Sequence, residues 1–220
     1  GHYEVRLPET DWQALASWID CNAPFYGGWD EIEYVPRDVD QPTVQQLDRR
    51  RDELQKTRPA ARLVCYVDLG PCVSDGSWKS PHLRLPSDEQ GGDSVQRFKG
   101  DQPAEPWHAT AIVNSRPIHI RASNLDSSKR YTLGLSWWDF DGQGRVQSVQ
   151  AVSSDASRTF PLVEPSPLPV WKNRNEKPAE RFASIPPAAY TDGRASFIVS
   201  ETGGKDTTLG EVWLFEEPAQ

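Results

Sequence analysis

Apolar and polar positions alternate along much of the chain after residue 60, and this period of two is typical of strands with one buried face. The first such segment is 62–69, where Leu63 and Cys65 alternate with positions that include Tyr66. Similar short segments, separated by polar stretches rich in glycine and proline, follow at 108–113, 118–122, 131–139, 145–152, 194–200 and 211–215. Many short strands with long polar connections predict a mainly β protein, an antiparallel β-sandwich of jelly-roll or galactose-binding-like type.

The first sixty residues have a helical pattern instead. Trp12, Leu15 and Ile19 fall on one face of a helix predicted over 11–20, and the segment Asn22-Ala23-Pro24 ends it. A second, arginine-rich helix is predicted at 49–56. We therefore divide the chain into a helical N-terminal segment with an aromatic turn, 1–60, and a β-sandwich domain, 61–220.

Two long stretches, 74–106 and 161–187, have few apolar residues and many prolines, serines and charged residues. Both are predicted to be loops. Loops of this length are uncommon unless they bind something or are held down by aromatic side chains, which here include Trp78 and Trp107.

Charge and composition exclude several classes of partner. The net charge is −8, and acidic and basic residues are interspersed without a basic stripe, which argues against nucleic acid and anionic membrane surfaces. Neither a secretory leader nor a membrane span is predicted. Because the sequence contains no methionine and begins Gly-His, we expect it to be a piece of a longer protein.

The N-terminal region carries a distinctive motif. The segment 18–29 reads WIDCNAPFYGGW, within a longer pattern LPxxDWxxLxxWIDxNAPFYGxW, and the arginine-rich RRxELxK helix follows it. Residues 3–60 thereby resemble the last part of large extracytoplasmic bacterial proteins similar to the hydrazine synthase alpha subunit, which often carry c-type haem. The chain has no CxxCH haem-attachment motif, so the resemblance implies that any haem or catalytic centre lies outside it.

The second region has a looser likeness. Leu69-Gly70-Pro71, the turn at 75–78, Asn124-Leu125-Asp126 and a final EVWLFE strand resemble malectin-like and galactose-binding-like carbohydrate-binding sandwiches. In such modules a sugar is bound on a sheet face or in the loops at one end. The resemblance implies no catalytic residues.

Aromatic residues suggest where a sugar would bind. Strand alternation in 131–139 places Trp137 in the core and Trp138 outward beside the small residues Gly134 and Ser136. A flat exposed indole can stack on the C–H face of a sugar ring. The alternative is that these tryptophans pack under long loops or against the helical segment. The predicted ligand-binding residues are Trp138, Trp78, Trp107, Tyr66, His119 and Arg121.

The segment Asp139-Phe140-Asp141-Gly142-Gln143-Gly144 allows two interpretations. An Asp-Gly pair between two strands is first of all a hairpin turn. The oxygens of Asp139, Asp141 and Gln143 also match the start of a calcium-binding loop, although the glutamate at position twelve is missing. A structural calcium ion is the alternative prediction.

The three cysteines leave the redox state open. Cys65 and Cys72 flank Gly70-Pro71 at a spacing that suits a disulfide, which would favour a compartment outside the cytoplasm. The alternative is three reduced, buried thiols, because spacing alone cannot decide pairing.

No arrangement of catalytic residues stands out in the sequence. We therefore predict a non-catalytic carbohydrate-binding accessory module of a larger secreted bacterial protein, with glycan or other domains of that protein as partners. The alternative is a docking domain of an extracytoplasmic, haem-containing oxidoreductase-like protein, and a weaker one is a hydrolase. Exposed paired tryptophans, a broad apolar patch, or clustered groups with shifted pKa would distinguish the three.

Overall fold

The computed structural model describes residues 44–69, 83–84, 94–97, 105–108, 110–173 and 175–218. The chain divides into two compact units, Gly1–Pro36 and Arg37–Gln220, and all described residues belong to the second. The helix predicted at 11–20 and its aromatic turn lie outside the described residues.

The described part contains one α-helix and twelve strands. The helix is α1 (Val44–Thr57). The strands are β1 (Arg62–Asp68), β2 (Leu83–Arg84), β3 (Ser94–Arg97), β4 (Thr110–Asn114), β5 (Ile118–Ala122), β6 (Tyr131–Trp137), β7 (Val146–Ser153), β8 (Thr159–Pro167), β9 (Ala179–Ile185), β10 (Ala195–Gly203), β11 (Thr207–Leu209) and β12 (Glu211–Glu216).

These strands form three sheets, and every pairing between them is antiparallel. Sheet A has the order β1-β12-β6-β9, sheet B the order β2-β5-β10-β7-β8, and sheet C the order β11-β4-β3. Neighbouring strands are mostly distant in sequence, so the pairings depend on long-range contacts.

The main core lies between sheets A and B. Leu133, Leu135 and Trp137 of β6 join Ile120 of β5 and Phe197 of β10 in one buried cluster. The inward direction predicted for Trp137 is confirmed, since its side chain is fully buried. The structure confirms the antiparallel β-sandwich, whereas the jelly-roll type stays a prediction.

The other face of sheet A is covered by α1. Leu47 and Leu54 of the helix form a second buried cluster with Tyr66, Trp213 and Phe215 of the sheet. The helix predicted at 49–56 is therefore present, and it lies in the same compact unit as the strands. The division at residue 60 stays a prediction.

Two strands lie in a stretch that was predicted to be a loop. β8 and β9 fall within or overlap 161–187, and each is the outermost strand of its sheet. Proline cannot donate a ladder hydrogen bond, and it is tolerated at an edge because one side of the strand has no neighbour. The loop prediction was wrong for β8 because its prolines mark an edge strand, whereas β9 contains no proline. The stretch 74–106 likewise contains the short strands β2 and β3.

Candidate functional site

Polar and aromatic side chains meet where α1 packs on sheet A. Cross-strand partners Gly134 and Trp213 face this helix, and a Cβ atom added at Gly134 would lie 1.8 Å from the Trp213 indole nitrogen. Glycine is therefore required for the indole to lie flat on the sheet. The sheet face beneath α1 combines this indole with Tyr66 and Phe215.

Arg50 lies at the centre of this interface. Its Nε donates to Glu211 Oε1 over 2.7 Å, and its Nη2 donates to Glu211 Oε2 over 3.0 Å and to Glu180 Oε1 over 2.8 Å. Burial alone would lower the pKa of Arg50, but the two carboxylates raise it above its ordinary value. The guanidinium therefore stays charged and compensates the buried Glu211, with half-exposed Glu180 as a second partner.

Glu211 has all its acceptor positions used. Besides Arg50, it accepts hydrogen bonds from the Tyr66 hydroxyl over 3.0 Å and from Ser136 Oγ over 2.7 Å. Burial, followed by the charge of Glu211, raises the pKa of Tyr66 well above its ordinary value. A fully bonded carboxylate with no solvent exposure stabilises the α1 interface and has no free position for a substrate.

His108 lies against this network. Its Nε2 is 3.8 Å from Glu211 Oε2, and its ring makes edge contacts with Trp107 and Trp138 at centroid distances of 5.9 and 6.2 Å. Burial, and then the positive charge of Arg50, lower the pKa of His108 to about 3. The imidazole is therefore neutral at physiological pH.

The prediction that Trp138 is exposed was wrong. Trp138 is 1% exposed and Trp107 is fully buried, because both pack around His108 rather than at the surface. Tyr66 is also buried, beneath α1. Strand alternation indicated the correct side of the sheet but not that another element covers it. Trp78 lies outside the described residues.

His119 and Arg121 lie on a different part of the sandwich. Both are on β5 of sheet B, where His119 is half-buried and Arg121 is exposed. Their strand partners on β10 are Ile198 and Ser196. The structure thus groups Tyr66, Trp107 and Trp138 around one buried network and places the other two on the opposite sheet. Glycan binding by any of these residues stays a prediction.

The segment after β6 is a connection between sheets. β6 belongs to sheet A and β7 to sheet B, so the predicted hairpin was wrong, although the turn itself is present with a positive φ of 69° at Gly142. Asp139 accepts hydrogen bonds from the backbone N–H groups of Gln143 and Gly144 over 3.0 and 2.7 Å.

Arg145 fills the space between the two carboxylates of this segment. Its Nη1 donates to Asp139 Oδ1 over 2.6 Å and also to Asp141. Burial alone would raise the pKa of Asp139, but the N–H group of Gln143 and the guanidinium hold it below its ordinary value. A calcium ion here would compete with Arg145, and calcium binding by Asp139, Asp141 and Gln143 stays a prediction.

Cys65 is 6% exposed on β1 and packs in the main core. Cys72 lies outside the described residues, so the pairing of these cysteines stays a prediction. Within the described ranges, no group of three or more His, Cys, Asp or Glu side chains could hold a metal ion. In the same ranges, no helix is long and apolar enough to cross a membrane.

A pocket that the sequence did not indicate lies at one end of sheet A. Antiparallel pairing brings the start of β6 beside the ends of β9 and β12, since Tyr131 pairs with both Ile185 and Glu216. The pocket, hereafter the end pocket, measures about 400 Å³. It is lined by Arg58, Arg130, Tyr131, Ser184, Ile185, Pro186, Pro187 and Glu217.

The polar wall of the end pocket is an ion pair. Arg58 Nη2 donates to Glu217 Oε1 over 2.7 Å, and the same oxygen accepts from Thr132 Oγ1 over 2.5 Å. Arg130 Nη2 donates to the Pro218 carbonyl over 3.1 Å. The lining residues come from four distant parts of the chain, so no motif could have revealed them.

No family model matches this sequence, and no curated protein is similar to it. Solved structures do share its fold. The ANX2 ectodomain from Arabidopsis thaliana matches with a TM-score of 0.51 and 12% identity, over 73% of this chain and 51% of that one. The ANXUR2 extracellular domain from the same plant matches with a TM-score of 0.51 and 9% identity, over 73% of this chain and 50% of that one.

A smaller structure covers a similar part of this chain. The CBM22-1 xylan-binding domain of a Paenibacillus barcinonensis protein matches with a TM-score of 0.46 and 8% identity, over 73% of this chain and 98% of that one. The chain spans about half the length of the plant ectodomains. The likeness to malectin-like sandwiches is thus found in the fold, whereas the likeness to the hydrazine synthase alpha subunit stays a prediction.

Proposed function

We propose that this chain is a carbohydrate-binding module and that it binds glycan in the end pocket. The observation that carries the proposal is the Arg58–Glu217 pair in the wall of the end pocket, next to the apolar rings of Pro186 and Pro187. This proposal replaces the predicted stack of exposed tryptophans, because Trp107 and Trp138 are buried.

The chemistry of the end pocket matches a sugar. A pyranose has hydroxyl groups that both donate and accept hydrogen bonds, together with C–H faces that pack on apolar rings. Arginine is a donor only and a carboxylate is an acceptor only, so a pair such as Arg58 and Glu217 can bind neighbouring hydroxyls in opposite senses. The volume of about 400 Å³ lies in the range typical of small-ligand pockets.

The groups with the largest pKa shifts support a non-catalytic role. Arg50, Tyr66 and His108 have strongly shifted pKa values, yet all three are buried where α1 packs on sheet A and none lines the end pocket. Burial shifts the pKa values of Tyr66 and His108, and the neighbouring carboxylates raise that of Arg50, so all three shifts follow from the packing of α1 on sheet A. We propose that the chain is an accessory module of a larger extracytoplasmic protein.

Surface composition favours glycan binding over docking through an apolar patch. Among the described residues, only Val170 and Phe182 are large hydrophobic residues with exposed side chains, at 42% and 38%. A domain that docks through a broad apolar patch would expose more of them.

Calorimetric titration with a panel of neutral and acidic oligosaccharides tests the proposal. We expect saturable binding that Glu217→Gln weakens about tenfold, because the carboxylate acceptor is lost. Glu164→Gln, at an exposed position on β8 outside the end pocket, is the matched control and should bind like the wild type. Thermal unfolding of each variant verifies that it is folded. Two results would contradict binding in the end pocket: no binding of any oligosaccharide, or an equal loss of affinity in both variants.

A further inference from the structure

The end pocket has more cationic than anionic groups. Arg58 and Arg130 both line it, and Glu217 is its only acidic lining residue among the described residues. Glu217 already accepts hydrogen bonds from Arg58 and Thr132. The negative charge of Glu217 therefore balances the positive charge of only one of the two guanidinium groups.

Arg130 keeps its charge available. It is exposed, its Nη2 donates to the neutral carbonyl of Pro218, and it forms no ion pair among the described residues. A carbonyl oxygen satisfies one of the five N–H donors of a guanidinium, so the remaining donors can bind a ligand.

Arg58 is held in place at the wall of the end pocket, with Nη2 bonded to Glu217. Its Nε is buried and has no hydrogen-bond partner among the described residues. Its guanidinium lies 5.9 Å from the ring centroid of Phe182 and 6.0 Å from that of Phe215, which restrains its position. Because Nε is buried, a ligand would reach Arg58 through its Nη groups, on a side chain that is 35% exposed.

We propose that the end pocket selects glycans that contain uronic acids, with Arg58 and Arg130 as donors to the sugar carboxylate. This inference rests on the proposed function and names its ligand class. A carboxylate attached to a pyranose has two oxygens in one plane, the geometry that a guanidinium binds best. Hydrogen bonds between charged partners are roughly twice as strong as neutral ones.

Matched pairs of oligosaccharides test this selectivity. The probes are pairs of tetrasaccharides with the same linkage and sugar configuration. One member of each pair has hydroxymethyl groups at C5 of its sugars, and the other has carboxylates there, so that C6 is oxidised. The pairs come from the β-1,4-gluco, β-1,4-manno and α-1,4-galacto series. We expect the acid of at least one pair to bind about tenfold or more tightly than its neutral partner, with affinity that falls as salt rises. A sulfated tetrasaccharide that binds as tightly as the uronate would overturn the assignment to carboxylates.

Variants distinguish the specific roles of Arg58 and Arg130 from the general effect of removing a positive charge. Arg130→Gln should reduce the preference for the acid to about threefold or less, because the acid should lose more affinity than its neutral partner. Arg58→Lys keeps the charge and removes the planar guanidinium, so it should weaken the acid more than the neutral sugar. Arg116→Gln removes an exposed arginine outside the end pocket and should change neither. Equal losses with Arg116→Gln and Arg130→Gln would overturn the inference.

The two proposals fail in distinguishable ways. If neutral tetrasaccharides bind in a Glu217-dependent manner and acids bind no tighter, the glycan module stands and its selectivity for uronates is refuted. If neither neutral nor acidic tetrasaccharides bind, both proposals are refuted.

Discussion

Arg50 of α1 and Glu211 of β12 form a buried two-point ion pair, with distances of 2.7 Å from Nε to Oε1 and 3.0 Å from Nη2 to Oε2. The Arg50 side chain is 6% exposed and that of Glu211 is fully buried. Removing one partner of such a pair leaves an isolated charge away from water, which costs more than the pair contributes. We expect the pair to fix how α1 packs on sheet A.

Replacing Arg50 tests this role. Arg50→Met should lower the free energy of unfolding by about 3–5 kcal/mol, because Glu211 would remain buried without its cation. Urea unfolding followed by circular dichroism measures the loss. Arg49→Met is the matched control, since Arg49 is 55% exposed and pairs with Glu105 at the surface, and it should cost less than about 1 kcal/mol. Similar losses for the two variants would show that the buried pair has no special role.

Gly134 is expected to tolerate no side chain. An added Cβ would lie 1.8 Å from Trp213 Nε1, so Gly134→Ala must displace a fully buried indole and should cost more than about 3 kcal/mol. Near-ultraviolet circular dichroism should show a changed tryptophan environment. Gly144→Ala is the control, because Gly144 has a φ of 71° but no atom within 4 Å of an added Cβ. Only backbone strain of about 1–2 kcal/mol is expected there.

His108 makes stability depend on pH. Its pKa is about 3 in the folded chain, below the ordinary 6.5, so between these values the unfolded chain binds the proton and the folded chain does not. The free energy of unfolding should therefore fall as pH decreases through this window, by at most about 1.4 kcal/mol per pH unit from this residue.

The measurement compares urea unfolding of the wild type and His108→Gln between pH 7 and pH 4. Carboxylates contribute to both proteins, so the difference between the two slopes isolates the histidine. We expect a shallower slope for His108→Gln, with His119→Gln as a histidine control on β5. Parallel slopes for the wild type and His108→Gln would show that His108 takes up its proton equally in both states.

Trp138 should contribute to stability and not to ligand binding. Trp138→Ala removes a side chain that is 1% exposed, which should cost about 3–5 kcal/mol of unfolding free energy. Titration well below its unfolding midpoint should give the glycan affinity of the wild type. A loss of affinity in a folded variant would restore the predicted tryptophan platform.

The sequence predicted the position of most strands but missed several strands at sheet edges. β5 lies at the predicted residues, 118–122, because its alternation is regular and one face is buried. β8 was missed because it contains prolines, and only the sheet order shows it to be an edge strand. The end pocket had no sequence signal, since Arg58 and Glu217 are 159 residues apart.

Local patterns along this chain were sufficient to predict the regularly alternating strands such as β1, β5 and β6, the second half of α1, and the inward direction of Trp137. The period of two in a strand separates its two faces but carries no information about what covers each face. All seven residues of β6 are buried because sheet B covers one face and α1 packs against the other face of sheet A. Only this long-range packing decided that Trp138 and Tyr66 are interior residues and that the polar groups open to a ligand lie at the end of the sheet.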